Sequence, residues 1–179
     1  MGETNTSDVV IRRLDGGGAF ASIDALADLL VDCVEGGASV SFMAPLWVEK
    51  AVAFWRGVAE GVARGERVLL VAEDGDGRVV GTVQLIVSQP ENQPHRADVA
   101  KMLVRRSARR RGVAQRLMTA IDDVARAEKK TLLVLDTVTG GDAERLYERA
   151  GWQRVGVVPG YALMPDGEPC GTTVFYKQL

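Results

Sequence analysis

The spacing of apolar residues predicts four helices along the chain. Apolar positions recur every three to four residues within 19–37, 45–65 and 114–130, which is typical of amphipathic helices with one buried face. A shorter segment, 140–152, has the same spacing and contains Gly151, a residue type that commonly ends a helix. We therefore expect three long helices and one short helix.

Between these segments, runs rich in β-branched and apolar residues predict strands. Residues 67–73 and 78–87 flank the turn sequence DGDG, which predicts a β-hairpin. The run TLLVLDT (131–137) is apolar almost throughout, as expected of a strand that is covered on both faces. The other predicted strands are 9–14, 97–104, 153–161 and 172–179.

The predicted order of elements is β-α-α-β-β-β-α-β-α-β-β. No repeat, linker or low-complexity segment interrupts it, and 179 residues suit one domain better than two. The fold class is therefore α/β with a mixed (α+β) arrangement. We expect a single domain over residues 9–179, preceded by a flexible tail at residues 1–8.

Composition limits the cellular compartments and the kinds of metal or disulfide chemistry that are expected of this chain. Apolar residues make up 46% of the chain, yet no apolar run approaches the about 20 residues of a membrane-spanning helix, and the polar N-terminus does not resemble a signal peptide. Cys33 and Cys170 are far apart and have no metal-ligand spacing. These features predict a cytoplasmic protein with free thiols, no metal and no membrane partner.

The only histidine, His95, lies in a polar turn without a catalytic partner nearby in the sequence. This position disfavours a Ser–His–Asp or Cys–His enzyme and a histidine-rich metal site. Acid–base chemistry in this chain is therefore expected to depend on carboxylates, tyrosine or water.

Positive charge is concentrated in RRSARRRGVAQRLM (105–118), between a predicted strand and a predicted helix. The first turn of a helix has N–H groups without intrahelical acceptors, and the helix dipole adds partial positive charge there. Gly112 can adopt backbone angles that let a phosphate come close, and Ala114 is too small to block it. Arginine side chains add bidentate donors, so the segment favours a cradle for a phosphorylated ligand.

The basic segment has two alternative interpretations. Nucleic-acid binding is disfavoured because 24 acidic residues outnumber 22 basic ones and no evenly spaced aromatic residues are present to stack bases. A solvated surface loop is the second alternative. The P-loop pattern G-x-x-x-x-G-K-[ST] is absent, which disfavours nucleotide hydrolysis.

Two motifs resemble those of a known family. RRRGVA (109–114) resembles the [QR]-x-x-G-x-[GA] signature of the GCN5-related N-acetyltransferases (GNAT), and LYERAGW (146–152) resembles that family's tyrosine followed by x-x-x-Gly and an aromatic residue. Both occur where the family has them, in the family's order of elements. GGASVSFMA, LDT, VPGYALMPDG and TVFYKQL are further similar to the tabtoxin-resistance branch, so that the likeness spans most of the chain. The chain departs from the family at Gly140, where many members have asparagine, and at Asp98, which is shorter than the glutamate of some members.

The resemblance implies a GNAT fold. This fold has a central, mostly antiparallel mixed sheet of about seven strands flanked by four helices, with strands 4 and 5 splayed apart. It implies acetyl-CoA as co-substrate and the primary amine of a small molecule, such as an antibiotic or a toxin, as acceptor. It also makes a homodimer plausible. The alternatives are a peptide or protein amine as acceptor, and a non-catalytic module that binds CoA or nucleic acid.

The resemblance also implies roles for individual residues. Backbone N–H groups near Met102 to Val104 would face the thioester oxygen, and those around Arg110 to Gln115 would face the pyrophosphate. Tyr147 would protonate the leaving thiolate, with a core tyrosine as the alternative. The predicted cofactor-binding residues are Met102, Leu103, Val104, Arg109, Arg110, Arg111, Gly112, Val113, Ala114, Gln115, Ala143 and Tyr147.

Two carboxylates near strand ends are candidates for the catalytic base. Asp136 ends an apolar strand, where an unpaired charge is costly, so it is expected at an exposed end or beside a partner such as the acceptor ammonium. For Asp98, a surface salt bridge is the alternative, and ordered water could replace either residue. The acceptor pocket is expected between the first two helices and residues 159–170, with SVSFMAPLW as one wall.

Overall fold

The computed structural model describes residues 9–179; the predicted tail at residues 1–8 lies outside the described residues. Seven strands form one sheet in the order β1-β2-β3-β4-β5-β7-β6. Every neighbouring pair is antiparallel except β4 and β5, which are parallel. The strands are β1 (Val10–Leu14), β2 (Arg67–Glu73), β3 (Val79–Ile86), β4 (Arg96–Val104), β5 (Leu132–Val138), β6 (Gln153–Leu163) and β7 (Pro169–Gln178).

Within residues 9–179, five helices flank the sheet where the apolar spacing predicts four. The additional helix arises because the first predicted helix is divided at Ser22, whose hydroxyl donates to the Gly18 carbonyl at 2.8 Å. Asp15 caps the new first helix by accepting from the Gly18 N–H at 2.7 Å. The helices are α1 (Gly16–Ala21), α2 (Ile23–Glu35), α3 (Val48–Ala63), α4 (Val113–Ala127) and α5 (Asp142–Arg149), and a 3₁₀ turn spans Arg106–Ala108.

The sheet separates two apolar cores. The helices α4 and α5 cover one face, where Leu117 and Ile121 of α4 are completely buried. The helices α1, α2 and α3 cover the other face around Trp55, which is 1% exposed. Each such side chain contributes about 1.5–3 kcal/mol through burial, so the two cores hold the sheet rigidly between two helical layers.

Strands β4 and β5 separate after a short paired segment. Only residues 96–98 of β4 pair with β5, opposite residues 132–134. Across β3 and β4, Gln84 is opposite Ala100 but Thr82 is opposite Leu103, so β4 carries one extra residue there. Such a β-bulge bends its strand and ends regular pairing. The splay of strands 4 and 5 is therefore confirmed.

The splay corrects the prediction that β5 is covered on both faces. Leu133 and Leu135 are buried, but Val134 is only partly covered and Asp136 is exposed. With β4 bent away, the second face of β5 lines an open cleft.

Candidate active site

A cavity of about 740 Å³ occupies the cleft between the diverging ends of β4 and β5. The loop between α2 and α3 and the hairpin of β6 and β7 form its far side. Its wall consists of residues 36–43, 99–102, 136–138, 141–143, 161–164 and 170–172, together with Arg109 and Tyr147. The cavity thus brings together the basic segment, the tyrosine motif and the end of β5.

The helix α4 begins with the geometry of an anion cradle. Gly112 is its N-cap residue, with a left-handed φ of 75°. The backbone N–H of Arg116 donates to the Gly112 carbonyl at 3.1 Å as the first intrahelical bond, which leaves the N–H groups of residues 113–115 without intrahelical acceptors. A Cβ placed on Gly112 would meet no protein atom within 4 Å, so the space in front of the cradle is open.

Two of the six arginines in this segment hold the loop in place. Arg105 pairs with Asp28 at 2.7 Å, and the Nε of Arg106 donates to Asp32 at 2.9 Å. Burial opposes ionisation of Asp32, but hydrogen bonds from the backbone and side chain of Arg106 prevail and lower the pKa of this carboxyl. These ion pairs hold the 3₁₀ turn against α2 and so position the residues that lead into α4.

The next arginines face the cleft or the solvent. Arg109 lines the cavity, and its Nε donates to the Val104 carbonyl at 3.3 Å. Arg110 and Arg111 are exposed and form no ion pair with any described residue, so their guanidinium groups are free to bind an anion. The basic segment therefore contains arginines that stabilise the loop through ion pairs and arginines whose guanidinium groups are available to a ligand.

Tyr147 lies on α5 and lines the cavity while remaining only 5% exposed. Its ring packs against Trp152 and Phe175, with centroid separations of 6.1 and 5.9 Å. Burial, followed by the negative charge of Asp136, raises the pKa of Tyr147 to about 12. The tyrosine therefore keeps its proton at neutral pH and acts as a hydrogen-bond donor.

Asp136 is the carboxylate that reaches the cavity from β5. The Thr172 hydroxyl has one proton, which it shares between Asp136 Oδ2 and the Thr137 carbonyl, each 3.0 Å from its oxygen. These bonds orient the carboxylate and leave Oδ1 available. Its position at an exposed strand end avoids the penalty of an unpaired charge in the core.

Asp98, the other candidate base, lies outside this cavity. Its carboxylate pairs with Arg96 and accepts from Gln89 at 3.0 Å. Asp98 is at the paired end of β4, opposite Val134, whereas the cavity begins where the strands diverge. The structure therefore separates the two aspartates that sequence reasoning grouped together.

The predicted cofactor-binding residues lie in three places: the cavity wall, the two cores, and the anion cradle or its surroundings. Met102 and Ala143 line the cavity with Arg109 and Tyr147. Leu103 is 2% exposed and Val113 is 1% exposed in the two cores, so only their backbone groups could reach a ligand. The remaining residues are in the anion cradle or beside it, namely Val104, Arg110, Arg111, Gly112, Ala114 and Gln115.

Lys101 is a cavity residue that sequence reasoning missed. It occupies the β4 bulge with a left-handed φ of 51°. Its Nζ donates to the Ser41 hydroxyl at 3.0 Å and lies 5.7 Å from the centre of the Phe54 ring. Burial lowers the pKa of Lys101, and the charge of Asp136 partly opposes this effect. The only signal in the sequence is a lysine within the otherwise apolar end of the strand AKMLV.

Comparison with known proteins identifies the family. Residues 65–154, half of the chain, match the sequence profile of the family described as "Acetyltransferase (GNAT) domain". The chain belongs to the GNAT acetyltransferase family. An uncharacterized N-acetyltransferase from the hisH-hisA intergenic region of Azospirillum brasilense is 32% identical over 132 residues, covering 73% of this chain and 76% of that protein. The GNAT profile includes β4, the anion cradle and Tyr147.

Solved structures of GNAT proteins share the fold. The protein yncA from Salmonella typhimurium, solved with its cofactor acetyl-CoA, superposes with a TM-score of 0.78 at 19% identity, covering 97% of this chain and 95% of that one. A ribosomal-protein-alanine N-acetyltransferase from Brucella melitensis gives a TM-score of 0.77 at 23% identity, covering 96% and 100%. The mixed α/β GNAT fold is thus confirmed.

Family membership establishes this GNAT protein as an acyltransferase with acetyl-CoA as co-substrate. The free amides at the start of α4, the open space before Gly112 and the unpaired guanidinium groups fit the pyrophosphate of that co-substrate. Among residues 9–179, no three His, Cys, Asp or Glu side chains are grouped to hold a metal ion. In the same range, no helix is long and apolar enough to cross a membrane.

Proposed function

We propose that this GNAT enzyme acetylates the primary amine of a small molecule. The observation that carries the proposal is that the α2–α3 loop is hydrogen-bonded to the β6–β7 hairpin beside the cavity. Ser39 donates its hydroxyl to the Leu163 carbonyl at 3.2 Å, and the Ala44 N–H donates to the Pro165 carbonyl at 3.0 Å. These bonds tie the α2–α3 loop to the β6–β7 hairpin. A peptide acceptor would need an open groove there, whereas a small amine fits within the cavity.

Each part of the site has a separate task in the proposed reaction. The N–H groups of residues 110–115, with Arg110 and Arg111, would hold the pyrophosphate of acetyl-CoA, which supplies an activated acetyl group when bound. A backbone N–H at the bulge near Met102 would stabilise negative charge on the carbonyl oxygen. Asp136 would take a proton from the acceptor ammonium so that the neutral amine can attack.

The bonds and protons balance in this scheme. The acceptor nitrogen forms a bond to the acetyl carbon as the carbon–sulfur bond breaks, and the sulfur leaves as a thiolate that takes up a proton. A thiol has a reference pKa of about 8.5, whereas the pKa of Tyr147 is raised to about 12. The hydroxyl of Tyr147 therefore stabilises the thiolate by hydrogen bonding, and the final proton comes from the amine or from water.

Replacing Tyr147 with phenylalanine is expected to lower kcat by about 10- to 100-fold, because one hydrogen bond to a charged sulfur is worth about 1.5–3 kcal/mol. The affinity for acetyl-CoA should change by less than about threefold, because the ring packing against Trp152 and Phe175 is retained. Steady-state kinetics and calorimetric titration measure the two effects. Unchanged turnover would show that Tyr147 has only a structural role in the core.

The acceptor class is tested by direct competition. Purified enzyme is given acetyl-CoA with an equimolar mixture of small primary amines, including amino-group-bearing antibiotics and toxins, and short peptides with free N-termini. Mass spectrometry then quantifies every acetylated product. We expect the acetyl group on the small amines, whereas acetylation of peptides alone would contradict the proposal. The resemblance to the tabtoxin-resistance branch is the reason to include toxins, and the free thiols of Cys33 and Cys170 fit a cytoplasmic reaction.

We further propose that the enzyme forms a homodimer through β6. Within residues 9–179 this strand pairs with β7 alone, and it carries exposed apolar side chains, among them Val155 (65% exposed), Val157 (42%) and Tyr161 (60%). An unpaired strand edge with exposed apolar residues is a surface that a second copy can cover.

The dimer is tested by sedimentation of two matched valine variants. Wild type should sediment as a dimer of the 19.3 kDa chain. Val155→Lys should shift it to the monomer, because the charge would be buried at the interface. Val10→Lys, on the opposite edge of the sheet and 52% exposed, should leave the dimer intact. A monomeric wild type would refute the dimer.

A further inference from the structure

Lys101 is a charged cavity residue that has no task in the proposed transfer reaction. Lys101 lines the same cavity as Asp136, on the side formed by the α2–α3 loop. Its ammonium is half-buried, and it extends from a bulge residue with left-handed backbone, a conformation that non-glycine residues seldom adopt. Backbone strain that persists in a cavity wall points to a function for the residue that bears it.

The partners of Lys101 satisfy only part of its hydrogen-bonding capacity. An ammonium has three donors, and the Ser41 hydroxyl accepts one at 3.0 Å. The Phe54 ring, 5.7 Å away, adds a cation–π contact but accepts no conventional hydrogen bond. A partly desolvated ammonium therefore has donors left for an anionic group that enters the cavity.

The negative charge of Asp136 affects the pKa of Lys101, but the two side chains are not paired. Asp136 shifts the pKa of Lys101 upward against the effect of burial, yet within residues 9–179 these two side chains form no ion pair. Asp136 is hydrogen-bonded to Thr172 and Lys101 to Ser41, and all four residues line the cavity. The cavity thus presents a negative charge and a positive charge that are each held by a hydroxyl and are not paired with each other.

We propose that the acceptor is an amino-carboxylate, such as an α-amino acid or a close analogue. Its ammonium would face Asp136, and its carboxylate would face Lys101, which is thereby a specificity-determining residue rather than a catalytic one. This inference rests on the proposed acetylation of small amines. It narrows the acceptor to molecules that carry an anionic group beside the reacting amine.

The test compares matched acceptors that differ only in the carboxylate. Leucine, leucinamide and isoamylamine form one set, and phenylalanine, phenylalaninamide and phenethylamine form the second. A charge-assisted hydrogen bond predicts that wild type prefers the acid over the amide by about 10- to 100-fold in kcat/KM. Lys101→Met should remove this preference, whereas Lys101→Arg should retain most of it.

Lys50→Met is the matched control. Lys50 also lies over an aromatic ring, 5.9 Å from the centre of Phe42, but it is exposed and does not line the cavity. We expect this variant to keep the full preference for acids. Acetyl-CoA affinity, measured by calorimetry for each variant, shows that the variants are folded.

The results that would contradict the inference can be distinguished from those that would contradict the proposed function. Equal use of acid and amide by wild type overturns the inference and leaves the proposed acetylation of small amines standing, and this comparison needs no variant. A preference for acids that survives in Lys101→Met overturns the role of Lys101. Failure to acetylate any of the six acceptors or any other small amine, with acetyl-CoA bound, overturns both proposals.

Discussion

Replacing Asp136 with asparagine is expected to lower kcat/KM for amine acetylation by about 10²- to 10³-fold. General-base catalysis contributes about 10²- to 10⁴-fold in rate, and the amide of asparagine cannot accept the proton of an ammonium. The bond from Thr172 to Oδ2 can be kept by the asparagine oxygen, so the fold and the acetyl-CoA affinity should change little. Steady-state kinetics with saturating acetyl-CoA measure the loss.

Asp98→Asn is the matched control, because it makes the same chemical change at the other carboxylate that the sequence suggests. Asp98 is bonded to Arg96 and Gln89 and lies outside the cavity, so kcat/KM should stay within about threefold of wild type. A large loss in Asp98→Asn together with normal activity in Asp136→Asn would reverse the assignment. Normal activity in both variants would leave proton removal to water.

Replacing Gly112 with valine is expected to weaken acetyl-CoA binding by about 10- to 100-fold. A left-handed backbone costs a non-glycine residue about 1–2 kcal/mol, and a β-branched residue more, so the N-cap of α4 would shift to relieve the strain. No protein atom lies within 4 Å of the added Cβ, so the new side chain would instead occupy the open space that we propose for the pyrophosphate. Calorimetric titration of acetyl-CoA measures the change.

Gly77→Val is the matched control, because it introduces the same backbone strain at a position away from the anion cradle. Gly77 has the same φ of 75°, also has no atom within 4 Å of an added Cβ, and lies in the turn between β2 and β3. This variant should lose comparable stability on heating but bind acetyl-CoA like wild type. Equal binding by Gly112→Val and wild type would show that the start of α4 does not hold the pyrophosphate.

Elements with local signals could be predicted closely from the sequence. The hairpin of β2 and β3 matches its prediction within one residue because the turn sequence and the flanking strands are adjacent in the chain. The apolar spacing continues across Ser22 and therefore does not predict the division of the first helix, which is visible in the non-helical backbone angles of Ser22 (φ −97°, ψ 3°). Periodicity reports the buried face of a helix, not the hydrogen bonds that end it.

The site depends on contacts that are distant in sequence, and it was predicted less completely. Gly112 and Tyr147 are in local motifs and could be placed by resemblance. Lys101 could not be placed, because it faces the cavity only through a bulge that arises from the pairing of β3 with β4. Asp98 and Asp136 look alike as strand carboxylates, and only the divergence of β4 from β5 distinguishes them.

The most direct test of the account is the release of free CoA by the wild-type enzyme, followed with a thiol reagent. We predict that release requires both acetyl-CoA and a small amine, saturates with each, and equals the amount of acetylated amine formed. CoA release at the same rate without any amine would contradict the account, because the cavity would then hydrolyse the thioester. Tight acetyl-CoA binding with no CoA release for any small amine would contradict it equally.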